Sequence, residues 1–128
     1  MHTFNTILLV DDDYVNNFVT ERLLKRINLA RNIKSVRNGE EALTWLSEEK
    51  NPTPELIFLD LNMPEMDGIH FLKYFKRMIL DKKIKVILLS GYVGPKQKRN
   101  LEELGYRHVI EKPLTEEKLF QILEKESV

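Results

Sequence analysis

The chain has 128 residues, with 20 Lys+Arg against 20 Asp+Glu, 42% hydrophobic residues and no cysteine. That length supports one domain with a real core, about two-thirds of the unfolded surface being buried at this size, and zero net charge removes the electrostatic footprint of a dedicated nucleic-acid binder. The absence of cysteine excludes disulfide scaffolds, thiolate nucleophiles and Cys-type zinc sites, and the longest apolar runs, Ile7–Val10 and Leu56–Leu59, are far too short to span a bilayer.

Met1 to Asn5 lack the basic and apolar segments of a signal peptide. The expectation is a single cytoplasmic domain over 1–128, with its core at about 5–125 and no output domain.

Short apolar runs alternate with segments of helical periodicity, without repeats or linkers. The first run, Ile7–Val10, leads directly into Asp11-Asp12-Asp13. A helix is expected from about Tyr14 to Ile27, with Val15, Val19, Leu23 and Leu24 on one face. A weaker run at Ile33–Val36 precedes Asn38-Gly39-Glu40-Glu41, a capping-box pattern that opens a helix striped by Ala42, Trp45 and Leu46. Leu56–Leu59 is apolar at every position and ends in Asp60, then Leu61-Asn62-Met63-Pro64. Asp67-Gly68 reads as the turn and N-cap of a third helix carrying Leu72, Phe75 and Ile79. Val86–Leu89 ends in Ser90-Gly91, and Pro95 fits the first turn of a fourth helix, with Leu101 and Leu104 before its stop at Gly105. Val109–Ile110 runs out through Glu111 into Lys112-Pro113, and Thr115 caps a fifth helix that buries Leu119, Ile122 and Leu123.

Strands alternating with helices imply βαβ units and a parallel sheet covered on both faces, a doubly wound α/β sandwich. Ligands of such folds bind beyond the carboxyl ends of the strands. Those ends carry Asp11, Asp12, Asp60, Ser90 and Lys112 to one crevice. Two like charges about 4 Å apart repel by about 4 kcal/mol at an effective dielectric near 20, so the cluster calls for a proton or a divalent cation. A hard cation with oxygen ligands fits, and Mg2+ is the natural candidate. The charges then sum to zero, and the site can admit an anionic phosphoryl group. Asp60, on the central strand, is the expected nucleophile, since a carboxylate can form an aspartyl phosphate.

Leu8-Leu9-Val10-Asp11-Asp12-Asp13, Leu59-Asp60-Leu61-Asn62-Met63-Pro64-Glu65-Met66-Asp67-Gly68, Ser90 after an apolar strand and Lys112-Pro113 together resemble the receiver domain of bacterial two-component response regulators. The likeness is to the single-domain, chemotaxis type and covers essentially the whole chain. It implies a flavodoxin-like (βα)5 fold with strand order 2-1-3-4-5. It implies Asp60 as phospho-acceptor, with Asp12 and Asp60 direct ligands of Mg2+, Asp11 acting partly through water, and the Asn62 backbone carbonyl completing the protein's share. Ser90 and Lys112 would each meet a phosphoryl oxygen, and the Lys112–Pro113 bond would be cis. The partners implied are a sensor histidine kinase or histidine phosphotransfer protein, and a downstream protein on the helix 4–strand 5–helix 5 face, about Pro95 to Leu123. The aspartyl phosphate would be hydrolysed slowly by the domain itself, which is otherwise not an enzyme.

The chain departs from this pattern twice. Gly91 stands where the family usually has alanine, which loosens the following loop. Val109 occupies the family's aromatic switch position, three residues before Lys112, and Tyr92 is expected to take part of that role. Asn62 and Tyr92 are expected to tune the lifetime of the phosphorylated form, since by the resemblance they would flank the approach of the attacking water.

Other readings compete. A haloacid-dehalogenase-like phosphatase wants an aspartate where Asn62 stands, and a flavodoxin-type phosphate loop would be repelled by the triple aspartate. A receiver-fold binding module that works without phosphorylation is kept open by Val109. Residue by residue, Asp11–Asp13 suit a helix N-terminus, Ser90 a strand end, and Lys112 a solvated surface. His2, His70 and His108 show no metal-ligand spacing. Lys96-Gln97-Lys98-Arg99 and the group Lys73, Lys76, Arg77, Lys82, Lys83 and Lys85 read as solvated helix faces, while Trp45 and the phenylalanines fit core or near-core positions.

Overall fold

A computed structural model describes residues 3–63, 68–78, 84–106 and 108–126. Among these, strands and helices alternate as β1 (Phe4–Val10), α1 (Tyr14–Arg26), β2 (Ala30–Val36), α2 (Gly39–Ser47), β3 (Leu56–Asp60), α3 (Gly68–Met78), β4 (Lys85–Ser90), α4 (Pro95–Glu103), β5 (Val109–Glu111) and α5 (Glu116–Glu126). His2, the Pro64–Asp67 part of the motif, Ile79, Lys82 and Lys83 lie outside the described residues.

The strands form one five-stranded parallel sheet in the expected order β2-β1-β3-β4-β5. Successive strand side chains point to opposite faces, and this parity sorts the core. Leu8, Val10, Ile57, Leu59 and Leu88 pack with Ala42 of α2, Phe71, Leu72 and Phe75 of α3, and Leu101 of α4. Ile7, Leu9, Phe58, Ile87 and Leu89 pack with Leu24 of α1 and Leu119 of α5 on the other face. Every residue of β3 is buried, as expected of the central strand of a covered parallel sheet.

The helix starts follow their capping chemistry. The Asn38 side chain accepts from the Glu41 N–H at 2.8 Å, while the Glu41 carboxylate accepts from the Arg37 N–H at 2.9 Å. Pro95 opens α4 after Gly94, and Thr115 Oγ1 accepts from the Lys118 N–H at 3.2 Å. Gly105 ends the α4 segment at φ +93°, where a side chain would be strained.

The face of α1 differs from the one expected. Val15 and Val19 are exposed, at 63% and 56%, and Phe18 is half exposed, whereas Asn17 and Leu24 are buried. The buried face carries Leu24 and Asn17 instead, and Asn17 Nδ2 donates to the Asp11 carbonyl at 2.9 Å. Lys76 is also more than a solvated charge, since its ammonium donates to the Leu104 carbonyl and lies 5.2 Å from the centre of the Tyr106 ring.

Candidate functional site

Parallel register aligns the carboxyl ends of the five strands. Val10 pairs with Val36 and Leu59, Asp60 with Leu89, and Ser90 with Glu111. Short backbone bonds carry this alignment past the strand ends: Asp11 N–H to the Val36 carbonyl, Leu61 N–H to Leu89 and Lys112 N–H to Ser90, at 3.2, 2.9 and 2.9 Å.

After β1 the three aspartates divide their work. Asp13 is the N-cap of α1, accepting from the Val15 and Asn16 N–H groups at 2.9 and 3.4 Å. Its carboxylate therefore belongs to the helix. Asp11 is buried, 6% exposed, and its Oδ1 accepts from the Asp13 N–H at 2.9 Å. Asp12 is exposed. Carboxylate oxygens of Asp11, Asp12 and Asp60 lie within 4.8 Å of one another.

Asp60 is 1% exposed; its Oδ1 accepts from the Asn62 N–H at 3.0 Å, and its Oδ2 lies 3.1 Å from Lys112 Nζ. Lys112 Nζ also lies 3.3 Å from Asp11 Oδ2, so one ammonium bridges two buried carboxylates. The Lys112–Pro113 peptide that presents it is cis. Gly68, at the start of α3, is packed so tightly against the turn after Asp60 that a Cβ would stand 2.7 Å from Leu61 Cα. Only glycine admits that approach.

Ser90, also 1% exposed, faces the site from β4 with its hydroxyl fully engaged. Oγ donates to the Tyr92 carbonyl at 2.7 Å and accepts from the Tyr92 N–H at 3.1 Å and from Asn62 Nδ2 at 2.7 Å. The Asn17 side chain is a member of the site that the sequence reading did not assign, and the bond from Asn62 Nδ2 to Ser90 adds a contact to a residue it did. Asn17 sits on α1 at a position that hydropathy alone does not mark for burial.

The charges are unbalanced. Three carboxylates share one ammonium, and burial, foremost, with Asp60 adding to it, pushes the Asp11 carboxyl up from 3.8 to about 6, against the Asp13 N–H and Lys112. Burial works against the Lys112 ammonium, yet Asp11 and Asp60 outweigh it and raise its pKa. An all-oxygen donor set with excess negative charge, part buried and part open, suits a hard divalent cation that keeps some of its water.

Comparison with known proteins agrees with this geometry. A family profile for the response regulator receiver domain matches residues 7–124. The chain is 35% identical over 120 residues to two-component response regulator 24 of Arabidopsis thaliana, covering 94% of this chain and 82% of that protein. A two-component response regulator from Cytophaga hutchinsonii superposes with a TM-score of 0.83 at 28% identity, covering 97% of each chain. The receiver domain of the Arabidopsis thaliana histidine kinase CKI1, solved in complex with Mg2+ and BeF3-, superposes with a TM-score of 0.74 at 25% identity, over 97% of this chain and 91% of that one.

Proposed function

Because the chain belongs to the response regulator receiver domain family, we propose that it is a phosphorylation-switched signalling module whose phospho-acceptor is Asp60. The observation that carries this reading is the Lys112 ammonium held between the buried Asp60 and Asp11 carboxylates, beside Asp12 and across from Ser90.

In the reaction, an Asp60 carboxylate oxygen attacks the phosphorus of a phosphohistidine on a kinase or phosphotransfer protein. The P–O bond forms, the P–N bond breaks, and the imidazole leaves with the electron pair. Asp60 is well placed for this because its carboxylate is fixed by the Asn62 N–H and Lys112. Asp11, Asp12 and Asp60, with the Asn62 carbonyl, would hold Mg2+, which supplies the positive charge that lets a phosphoryl group approach the carboxylates. The phosphoryl group brings about two negative charges, and Lys112 and Ser90 turn toward its oxygens. Water later attacks the phosphorus and returns the free carboxylate.

The phosphodonor docks on α1. Tyr14, Val15, Phe18 and Val19 are exposed there, and a groove of about 920 Å³ runs from Phe18, Val19 and Arg22 to Asp11 and Lys112. A contiguous apolar patch on a helix is a docking surface for a protein, with an acidic site at its edge. The downstream partner reads the α4–β5–α5 face. No helix among the described residues is long and apolar enough to cross a membrane.

The test is incubation with a small phosphodonor and Mg2+, followed by mass spectrometry for one alkali-labile phosphoryl group. Asp60→Asn abolishes the label under this reading, and unchanged labelling of that variant overturns it. Steady turnover of phosphomonoesters would favour a haloacid-dehalogenase-type phosphatase. Absence of label with intact partner binding would favour a module that works without phosphorylation.

A further inference from the structure

The Ser90 hydroxyl is both part of the acidic site and the restraint on the loop that follows it. It donates to the Tyr92 carbonyl at 2.7 Å and accepts from the Tyr92 N–H at 3.1 Å. A hydroxyl has one proton to give. If Ser90 Oγ donates to a phosphoryl oxygen on Asp60, the Tyr92 carbonyl loses its donor and the loop loses a tie.

Beside this loop lies a cavity of about 410 Å³ between α4 and β5, bounded by Ser90, Tyr92, Leu101, Tyr106 and Val109. The small Val109 side chain forms its β5 wall and leaves it open. Two aromatic rings border it, and they differ in freedom. Tyr106 is half-buried, its N–H bonds the Leu101 carbonyl at 2.8 Å, and the Lys76 ammonium lies 5.2 Å from its ring centre while donating to the Leu104 carbonyl. Tyr92 is 74% exposed at the mouth, and the Cβ position of Gly91, the hinge before it, has open space on every side. An exposed phenol ring beside an apolar-walled cavity gains by entering it, provided its hydroxyl finds a partner. Glu102, Glu111 and Lys98 on the cavity rim offer such partners.

From this arrangement we infer that Tyr92 is a moving aromatic, folding into the cavity between α4 and β5 when the Ser90 hydroxyl turns from the Tyr92 carbonyl to a phosphoryl oxygen. The inference rests on the proposed phosphorylation of Asp60. It converts a change at the acidic site into a change of shape and polarity on the α4–β5 surface.

The experiment uses the full chain with 3-fluorotyrosine placed at position 92, read by 19F NMR with a soluble paramagnetic probe, before and after addition of Mg2+ and beryllofluoride. The same spectrum reports bound beryllofluoride, so site occupancy and ring position are measured separately. The expected result is a bound beryllofluoride signal together with a shifted Tyr92 resonance that has lost most of its paramagnetic broadening. Bound beryllofluoride with a Tyr92 ring as exposed as before overturns the inference and leaves the reading of Asp60 standing; no bound beryllofluoride counts against both. Val109→Phe fills the cavity, and Tyr92 then stays exposed with beryllofluoride bound. Protection of Tyr92 in that variant overturns the cavity as its destination. Ser90→Ala removes the tie, so Tyr92 is partly protected without any phosphoryl mimic. A ring as exposed as in the wild-type chain overturns the hydroxyl as the restraint.

Discussion

Asp11 ties the stability of this domain to pH and to divalent cation with a definite sign. Its carboxyl is raised from 3.8 to about 6, chiefly by burial, a gap corresponding to about 3 kcal/mol at about 1.36 kcal/mol per pKa unit. The folded state holds the proton more tightly than the unfolded chain does. The stabilising contribution is therefore complete below 3.8 and is lost as pH rises through about 6. Between about pH 5 and about pH 7.5 the loss from this one group is on the order of 1 kcal/mol. Asp11→Asn keeps the shape and removes the titration. In urea unfolding with a chelator present, the stability of the variant relative to wild type should rise by on the order of 1 kcal/mol from about pH 5 to about pH 7.5. Mg2+ at the higher pH should stabilise the wild-type chain by mass action and raise its urea midpoint. Its effect should shrink toward about pH 5, where Asp11 has taken up its proton, and be weak in the variant at both pH values. A difference between the two chains that is flat in pH, or equal stabilisation of both by Mg2+, would refute the account of a site strained by its own charge.

Asn17→Ala removes the buried bond to the Asp11 carbonyl; it should cost about 1–3 kcal/mol in denaturant unfolding and weaken Mg2+ binding by calorimetry, although residue 17 is not a ligand. Gly68→Ala gains helix propensity but forces a Cβ to 2.7 Å from Leu61 Cα. A net loss of about 1–3 kcal/mol is expected, with slower labelling of Asp60 because the turn beside it shifts. Replacing Phe18 and Val19 together by aspartate should leave the melting temperature nearly unchanged, both being exposed. It should slow phosphorylation by a histidine phosphotransfer protein while sparing labelling by a small phosphodonor, and equal slowing with both donors would show that α1 is not the docking face.

How far the sequence discloses this molecule depends on the physical signal each feature carries. β3 and β4 are legible because a strand covered on both faces must be apolar throughout, and the aspartates and Lys112 because topology alone delivers strand ends to one edge. The N-caps are legible because the capping side chain is local to its helix, as with Asn38 and Thr115. The inward face of α1 is different. A hydropathy stripe places Val15 and Val19 inside, yet the inward face holds Leu24 and the polar Asn17, which bonds the Asp11 carbonyl, while Tyr14, Val15, Phe18 and Val19 face outward. Hydropathy cannot anticipate this, because burying Asn17 is favourable only once its partner's position in three dimensions is fixed. The same holds for Ser90, whose bonds to Asn62 and Tyr92 join residues 28 apart in sequence to residues two apart. In both cases the polar contact that escapes the pattern touches the acidic site. The hydrophobic pattern therefore specifies the scaffold, while the hydrogen bonds that override it mark where the scaffold has been fitted to charge.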